Sequence, residues 1–250
     1  MEILKIQTGH IKSGDNLVNA ILNNCDLKSG DILAISSKVI ATAQGAAINL
    51  SSIEISDTAR EYAKKYDRDP AYFQAILNET ERLNGNIIND DKRAILTELK
   101  PDGLNEGTLM AASAGLDQSN IEDGYAVGWP IDPVSSASEI FSALKEYTPG
   151  GILITDSCLR PRRLGVTAQA LVVIGFDPII SQVDSPDLFG KPLNVTHEAV
   201  ADQLATAANF VMGNADQAIP AVIIRDHSLA RSEFKGWVPG IDRSEDLFKY

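Results

Sequence analysis

Apolar runs of strand length recur along this chain without alternating strictly with helices, and that order constrains the fold more than any other feature. "EILKIQT", the opening of "GDILAISSKVIATAQG", "GGILITDS", "TAQALVVIGF" and "PAVIIR" read as strands. "NIIN" and "RAILTEL" read as a hairpin, and "EGTLMAASAGLDQSN" begins strand-like and ends in a polar loop. Helical spacing marks "GDNLVNAILNNC", with Asp15 near its start, and residues 57–66. "DPAYFQAILNETERLNG" places Pro70 at a helix start and Gly85 at its stop. "SSASEIFSALKEY" offers a start signal from Ser135 to Glu139. "NVTHEAVADQLATAANFVMG" predicts a long amphipathic helix ending at Gly213, with His197 at its beginning. The charged tail from Asp226 is expected to drape over the surface. The prediction is an α+β fold, mixed sheets with packed helices, in which residues 1–250 form one unit with room for two subdomains.

Composition narrows the function classes. A net charge of -12 leaves no basic face for a nucleic acid, although local arginines can still build a pocket for a small anion. Cys25 and Cys158 make neither a disulfide framework nor a zinc site, so a reducing, cytoplasmic setting is expected. "MEILKIQTGH" does not read as a signal peptide, and "ALVVIGF" is far too short to span a bilayer, so no membrane partner is expected.

The chemistry concentrates where apolar runs stop. Asp117 in "AGLDQSN" and Asp156 in "ITDS" each follow a strand. Two converging carboxylates with oxygen neighbours such as Ser157 and Asn120 make a hard oxygen site suited to Mg²⁺ or Mn²⁺ held partly by phosphates. The alternative is that each aspartate caps a turn. Ser36, Ser37 and Lys38 follow "ILAI" and could meet a phosphate, or form a solvated loop; a Walker motif is absent. Arg160, Arg162 and Arg163 suit an anionic substrate, or a surface patch paired with acidic residues. His10, His197 and His227 are scattered.

Taken together, "IKSGDNL", "GDILAISSKVIATAQG", "DPAYFQAILNET", "AGLDQSN", "DPVSSASEI", "ILITDSCLRPRRLG" and "AVADQLATAANFVMGNADQAIPAVIIR" resemble the coenzyme F420-0:L-glutamate (γ-glutamyl) ligases, from about residue 7 to residue 225. The resemblance implies the fold of those ligases, an intertwined homodimer, and a GTP- or ATP-dependent ligase. That enzyme joins L-glutamate to a carboxylate such as that of F420-0 through an acyl phosphate. It implies Mg²⁺ or Mn²⁺ at Asp117, Asp156, Ser157 and Asn214, and leaves room for K⁺. Nucleotide contacts would come from Thr8, Gly9, His10, Ile11, Ser36, Ser37, Lys38, Asn120, Met212, Gly213 and Asn214, with Lys38 and Arg160 also serving catalysis. The chain departs from the family pattern. Thr42 and Gln44 replace a lysine and an acid, Asn214 is uncharged, "SCLRPRR" stands for "SFGRPWR", "QVDSPDLFG" for a "DRGxxDxxG" segment, and "GWP" for "LLP". A binding homologue without turnover is therefore the competing expectation, and a metal-dependent phosphohydrolase the third.

Overall fold

A computed structural model describes residues 1–90 and 94–248. The elements run β1 (Glu2–Ile6), α1 (Leu17–Leu22), β2 (Ile32–Ser36), α2 (Ser37–Ala43), β3 (Ile48–Asn49), α3 (Asp57–Tyr66), α4 (Pro70–Arg82), β4 (Asn86–Asp90), β5 (Ile95–Leu99), β6 (Leu109–Ala112), β7 (Tyr125–Ala126) and α5 (Pro133–Ala143). They continue with β8 (Gly151–Leu159), β9 (Val166–Ile174), β10 (Ile180–Ser181), β11 (His197–Glu198), α6 (Val200–Met212), β12 (Ala221–Arg225) and β13 (Lys235–Trp237). The main sheet has the order β1-β12-β2-β8-β9-β13. Within it β2 and β8 run parallel, and the other neighbours are antiparallel. This is the α+β class that the order of elements predicts.

The central strands are apolar on both faces because both faces are covered. Leu33, Ile35, Ile152 and Ile154 point into one core, which includes residues of α1, α2 and α5. Ile32, Ala34 and Leu153 point into the other. There α6 contributes Ala201, Leu204, Ala205, Ala208 and Met212, a stripe at helical spacing whose alanines let the helix lie close to the sheet. A third core joins α3 and α4 through Ala59, Ala63, Tyr72, Phe73 and Ile76, and adds Leu116 and Ala126. A three-stranded sheet β4-β5-β6 and two short ribbons, β3-β7 and β10-β11, complete the description.

Several boundaries differ from the sequence reading. Helix α1 is capped by Asn16, while Asp15 accepts the Lys12 N–H instead. The stop after α4 uses Asn84 in the left-handed region (φ 50°). Gly85 is needed for space, since a Cβ there would lie 2.6 Å from the Glu98 carbonyl. The cap of α5 is Asp132, which accepts the Ser135 N–H ahead of Pro133 in the first turn. The segment 194–199 is not helical: His197 pairs with Ser181 in β11. The tail does more than drape, for β13 pairs with β9 and buries Trp237. Of the predicted hairpin, β4 and β5 are present; Arg93 lies outside the described residues.

The end of the main sheet near Gly30 and Gly150 is held by a buried ion pair. Asp31, 2% exposed, receives two bonds from the Arg225 guanidinium (2.9 and 2.7 Å) and one from the Lys28 N–H (2.7 Å). Burial raises the Asp31 carboxyl, but Arg225 and the Lys28 amide outweigh it and hold it below the ordinary range. A depressed carboxyl stabilises the fold above its unfolded pKa of about 3.9, and that stability is lost as pH falls through the folded value. Asp31→Asn is therefore expected to lower the melting temperature by on the order of 5 °C near neutrality. The gap should close as pH is lowered below about 4, which thermal melts from pH 7 to pH 3 would measure.

Candidate active site

The sheet register gathers the chain's polar strand ends at one place. Ile6, Ala221 and Ile35 are neighbours across β1, β12 and β2, and Ser36 lies beside Thr155 across the parallel pair. The residues after Ile6, Ser36 and Thr155 and those before Ala221 therefore emerge at the same end of the sheet, among them Thr8, Gly9, His10 and Ile11 after β1. A register shift between Ile154 and Thr155 interrupts the β8–β9 ladder immediately before Asp156. Such irregularities re-aim the side chains that follow.

Asp156 is the centre of this end. It is 6% exposed. Its Oδ1 accepts from Lys38 Nζ at 2.7 Å, and its Oδ2 accepts from the indole Nε1 of Trp129, also at 2.7 Å. Lys38 stands in the first turn of α2, directly after the strand that neighbours β8. Burial works against its ammonium charge, yet the carboxylates of Asp156 and, further off, Asp117 outweigh burial and raise its pKa. Lys38 is thus the link between the two predicted aspartates: it bonds one and lies in the field of the other.

Asp117 approaches from the α3–α4 layer. Its backbone bridges Val127, and its carboxylate accepts the Ser119 N–H at 3.0 Å and the Ser119 hydroxyl. The turn-capping role weighed for it is present, and its charge also faces Lys38 and Tyr72. Tyr72 donates its hydroxyl to the Leu116 carbonyl at 3.1 Å, and burial pushes its phenol pKa up. Asn120 follows in the left-handed region (φ 54°) on the exposed loop.

Other predicted residues fall around this centre. Ser157 donates to Asn214 Oδ1 at 2.8 Å, which ties β8 to the loop after α6 where Met212 and Gly213 end the helix. Ser36 is the N-cap residue of α2 without a side-chain capping bond. Ser37 Oγ is fully buried with no hydrogen-bond partner. Arg160 folds back along the β8–β9 ladder: it bonds Thr167 Oγ1 and the carbonyl of Ala168, the register partner of Ser157, and lies 3.8 Å from Asp202. Arg162 and Arg163 are exposed at the β8–β9 hairpin tip. Gln44 donates to Ser136 Oγ at 2.9 Å, joining α2 to α5.

Trp129 and Tyr72 were not legible as site residues. A tryptophan between Gly128 and Pro130 carries no periodic signal, and nothing local connects it to Asp156. Its place is set by Gly115, in the left-handed region at φ 79°, where a Cβ would lie 2.7 Å from the Trp129 indole. Gly115→Ala is expected to destabilise the protein by about 2 kcal/mol through backbone strain and overpacking. It should also shift the tryptophan emission, and urea unfolding followed by fluorescence measures both.

Among the described residues no group of three or more His, Cys, Asp or Glu side chains converges as a self-sufficient metal site. Two carboxylates with hydroxyl and amide oxygens nearby is the donor set that Mg²⁺ uses when phosphates complete its shell. The Ser37 hydroxyl in the first turn of α2 is buried without a hydrogen-bond partner.

The model of the F420-0:gamma-glutamyl ligase family matches residues 5–226. The chain is 36% identical to the coenzyme F420:L-glutamate ligase of Methanopyrus kandleri, covering 90% of this chain and 86% of that one. It is 34% identical to the coenzyme F420:L-glutamate ligase of Methanothermobacter thermautotrophicus (95% and 93% covered). For the protein of that name from Methanocaldococcus jannaschii the identity is 32% (100% and 97%). The chain belongs to the F420-0:gamma-glutamyl ligase family.

Proposed function

We propose that this chain is a ligase that joins the amine of L-glutamate to the carboxylate of coenzyme F420-0 or a close relative, driven by GTP or ATP with Mg²⁺ or Mn²⁺. The observation that carries the reading is the Lys38–Asp156 pair lying in the field of Asp117, in a chain whose relatives are coenzyme F420:L-glutamate ligases. No helix of the described residues is long and apolar enough to cross a membrane.

A carboxylate is a poor acyl donor because its oxygen leaves badly. Phosphorylation gives an acyl phosphate, which an amine attacks with release of phosphate. Asp117 and Asp156 would hold the divalent cation, whose chemistry is to neutralise charge on phosphate oxygens. Lys38 places a permanent positive charge beside them and is suited to offset the growing charge of a transferring phosphoryl group. Ser36, Ser37, Asn120 and the segments 8–11 and 212–214 would line the nucleotide, with Ser157 and Asn214 as further oxygen donors. Arg160, bonded to β9 opposite Ser157, would orient the acceptor carboxylate or the incoming amino acid.

The test incubates the protein with GTP or ATP, Mg²⁺ or Mn²⁺, L-glutamate and F420-0, and follows nucleoside diphosphate and product by mass. Release that requires both the carboxylate and glutamate is the expected result. Tight nucleotide binding with no condensed product, or release without acceptor, would overturn the ligase reading.

A further inference from the structure

We infer that Trp129 is a positioning residue for Asp156, and that the C-terminal strand holds Trp129 in place through Trp237. The inference rests on the proposed role of Asp156. A carboxylate has two equivalent oxygens and rotates easily. Lys38, a point charge on a flexible four-carbon stem, holds Oδ1 without fixing the plane of the group. The indole is rigid and donates only. At 2.7 Å from Oδ2 it fixes the second oxygen in a buried setting, where such a bond is strong. The two oxygens are then inequivalent: Oδ2 is anchored, and Oδ1, on the lysine, is the one free to exchange partners.

The anchor is itself enclosed. Trp129 is 2% exposed and lies against Gly115, where any side chain would collide with the indole. On another side it meets Trp237, ring centroids 5.9 Å apart and planes at 52°, a tilted aromatic contact. Trp237 is fixed in turn by its Nε1 donating to the Asp102 carbonyl at 3.0 Å, and by its place opposite Val172 in the sheet. The family model ends at residue 226, before this strand begins. A chain of contacts thus runs from β13 through two indoles to the carboxylate, and it gives the tail a role in the site.

The experiment uses the full chain with uniform ¹⁵N label. Its two tryptophans give two indole N–H signals, assigned with Trp129→Phe. Asp156→Asn is expected to move the Trp129 signal upfield and leave that of Trp237 nearly unchanged. In steady-state ligation, Trp129→Phe, which keeps the ring bulk and loses the donor, should lower kcat by about 10- to 100-fold, the usual range for a partner behind a metal-binding side chain. KM for glutamate should stay within about twofold, since the change acts on charge placement and not on uniform binding. A Trp129 signal indifferent to Asp156→Asn would overturn the inference, and so would a Trp129→Phe enzyme with unchanged kcat. If no ligation is found with wild type, the ligase reading fails, while the indole spectra still decide whether Trp129 holds Asp156.

Discussion

Lys38→Met is expected to abolish most ligation and to destabilise the fold at the same time. Turnover should fall by about 10²- to 10³-fold, the scale seen when one preorganised charge-stabilising donor is removed. Stability should fall by about 3 kcal/mol, because the buried Asp156 carboxyl would lose its ion-pair partner and be left with only the Trp129 N–H to satisfy it. The double variant Lys38→Met/Asp156→Asn removes both charges. It should recover much of the lost stability, since neither group is then a lone ion, but none of the turnover. Urea unfolding and steady-state rates on the three variants separate the two effects, and the non-additivity measures the pair. The pH dependence has a definite sign. A lysine raised in the fold contributes fully below its unfolded pKa of about 10.4 and loses that contribution as pH climbs through the folded value. The difference between wild type and Lys38→Met should therefore be constant through the neutral range and shrink in strong alkali. If the single variant melts like wild type, the pair is not the buried element described.

Much of this site was legible because its parts are polar residues placed where apolar runs end. "ILAISSK" and "ILITDS" show a buried strand followed by hydroxyls and charge, and the register sets Ser36 beside Thr155. What the sequence does not carry is the contact across layers. Trp129 reaches Asp156 because Gly115 leaves room and Trp237 closes the other side, a meeting of four segments that no spacing encodes. The tail was misread for a related reason: β13 has three residues, one of them glycine, too few for a period, and it forms because β9 offers an open edge. The start of α6 was misread because the amphipathic run of the helix was carried back through "VTHEAV", whose Val and Thr are weak helix formers. The chain instead pairs His197 and Glu198 with Ser181 and Ile180, and the helix begins at Val200 without a side-chain cap. In each case the strand is set by its pairing partner, which local pattern does not carry. Of the two readings of the arginine cluster, pairing with acidic residues is visible at Arg160, 3.8 Å from Asp202, while Arg162 and Arg163 are exposed at the hairpin tip.

Asp117→Asn should separate the two roles that this aspartate could hold. As a turn cap it accepts the Ser119 N–H, and an asparagine carbonyl oxygen does the same, so the turn should persist. Asp117 is half-buried and its charge reaches Lys38 across some distance, so stability should change by no more than about 0.5 kcal/mol. The charge is another matter. If Asp117 and Asp156 together hold the cation that gathers the phosphates, removing one of two carboxylates takes away half the protein's formal charge at that cation. Turnover should fall by about 10³-fold. The predicted result is an enzyme that melts like wild type and scarcely ligates, the reverse of what a purely structural turn would give. Raising Mg²⁺ or Mn²⁺ should recover part of the rate, because weakened cation binding yields to mass action whereas a broken turn does not. A variant that keeps its rate to within about threefold, a barrier change below 1 kcal/mol, would leave Asp117 as a cap alone, and the cation would then have to be held without it.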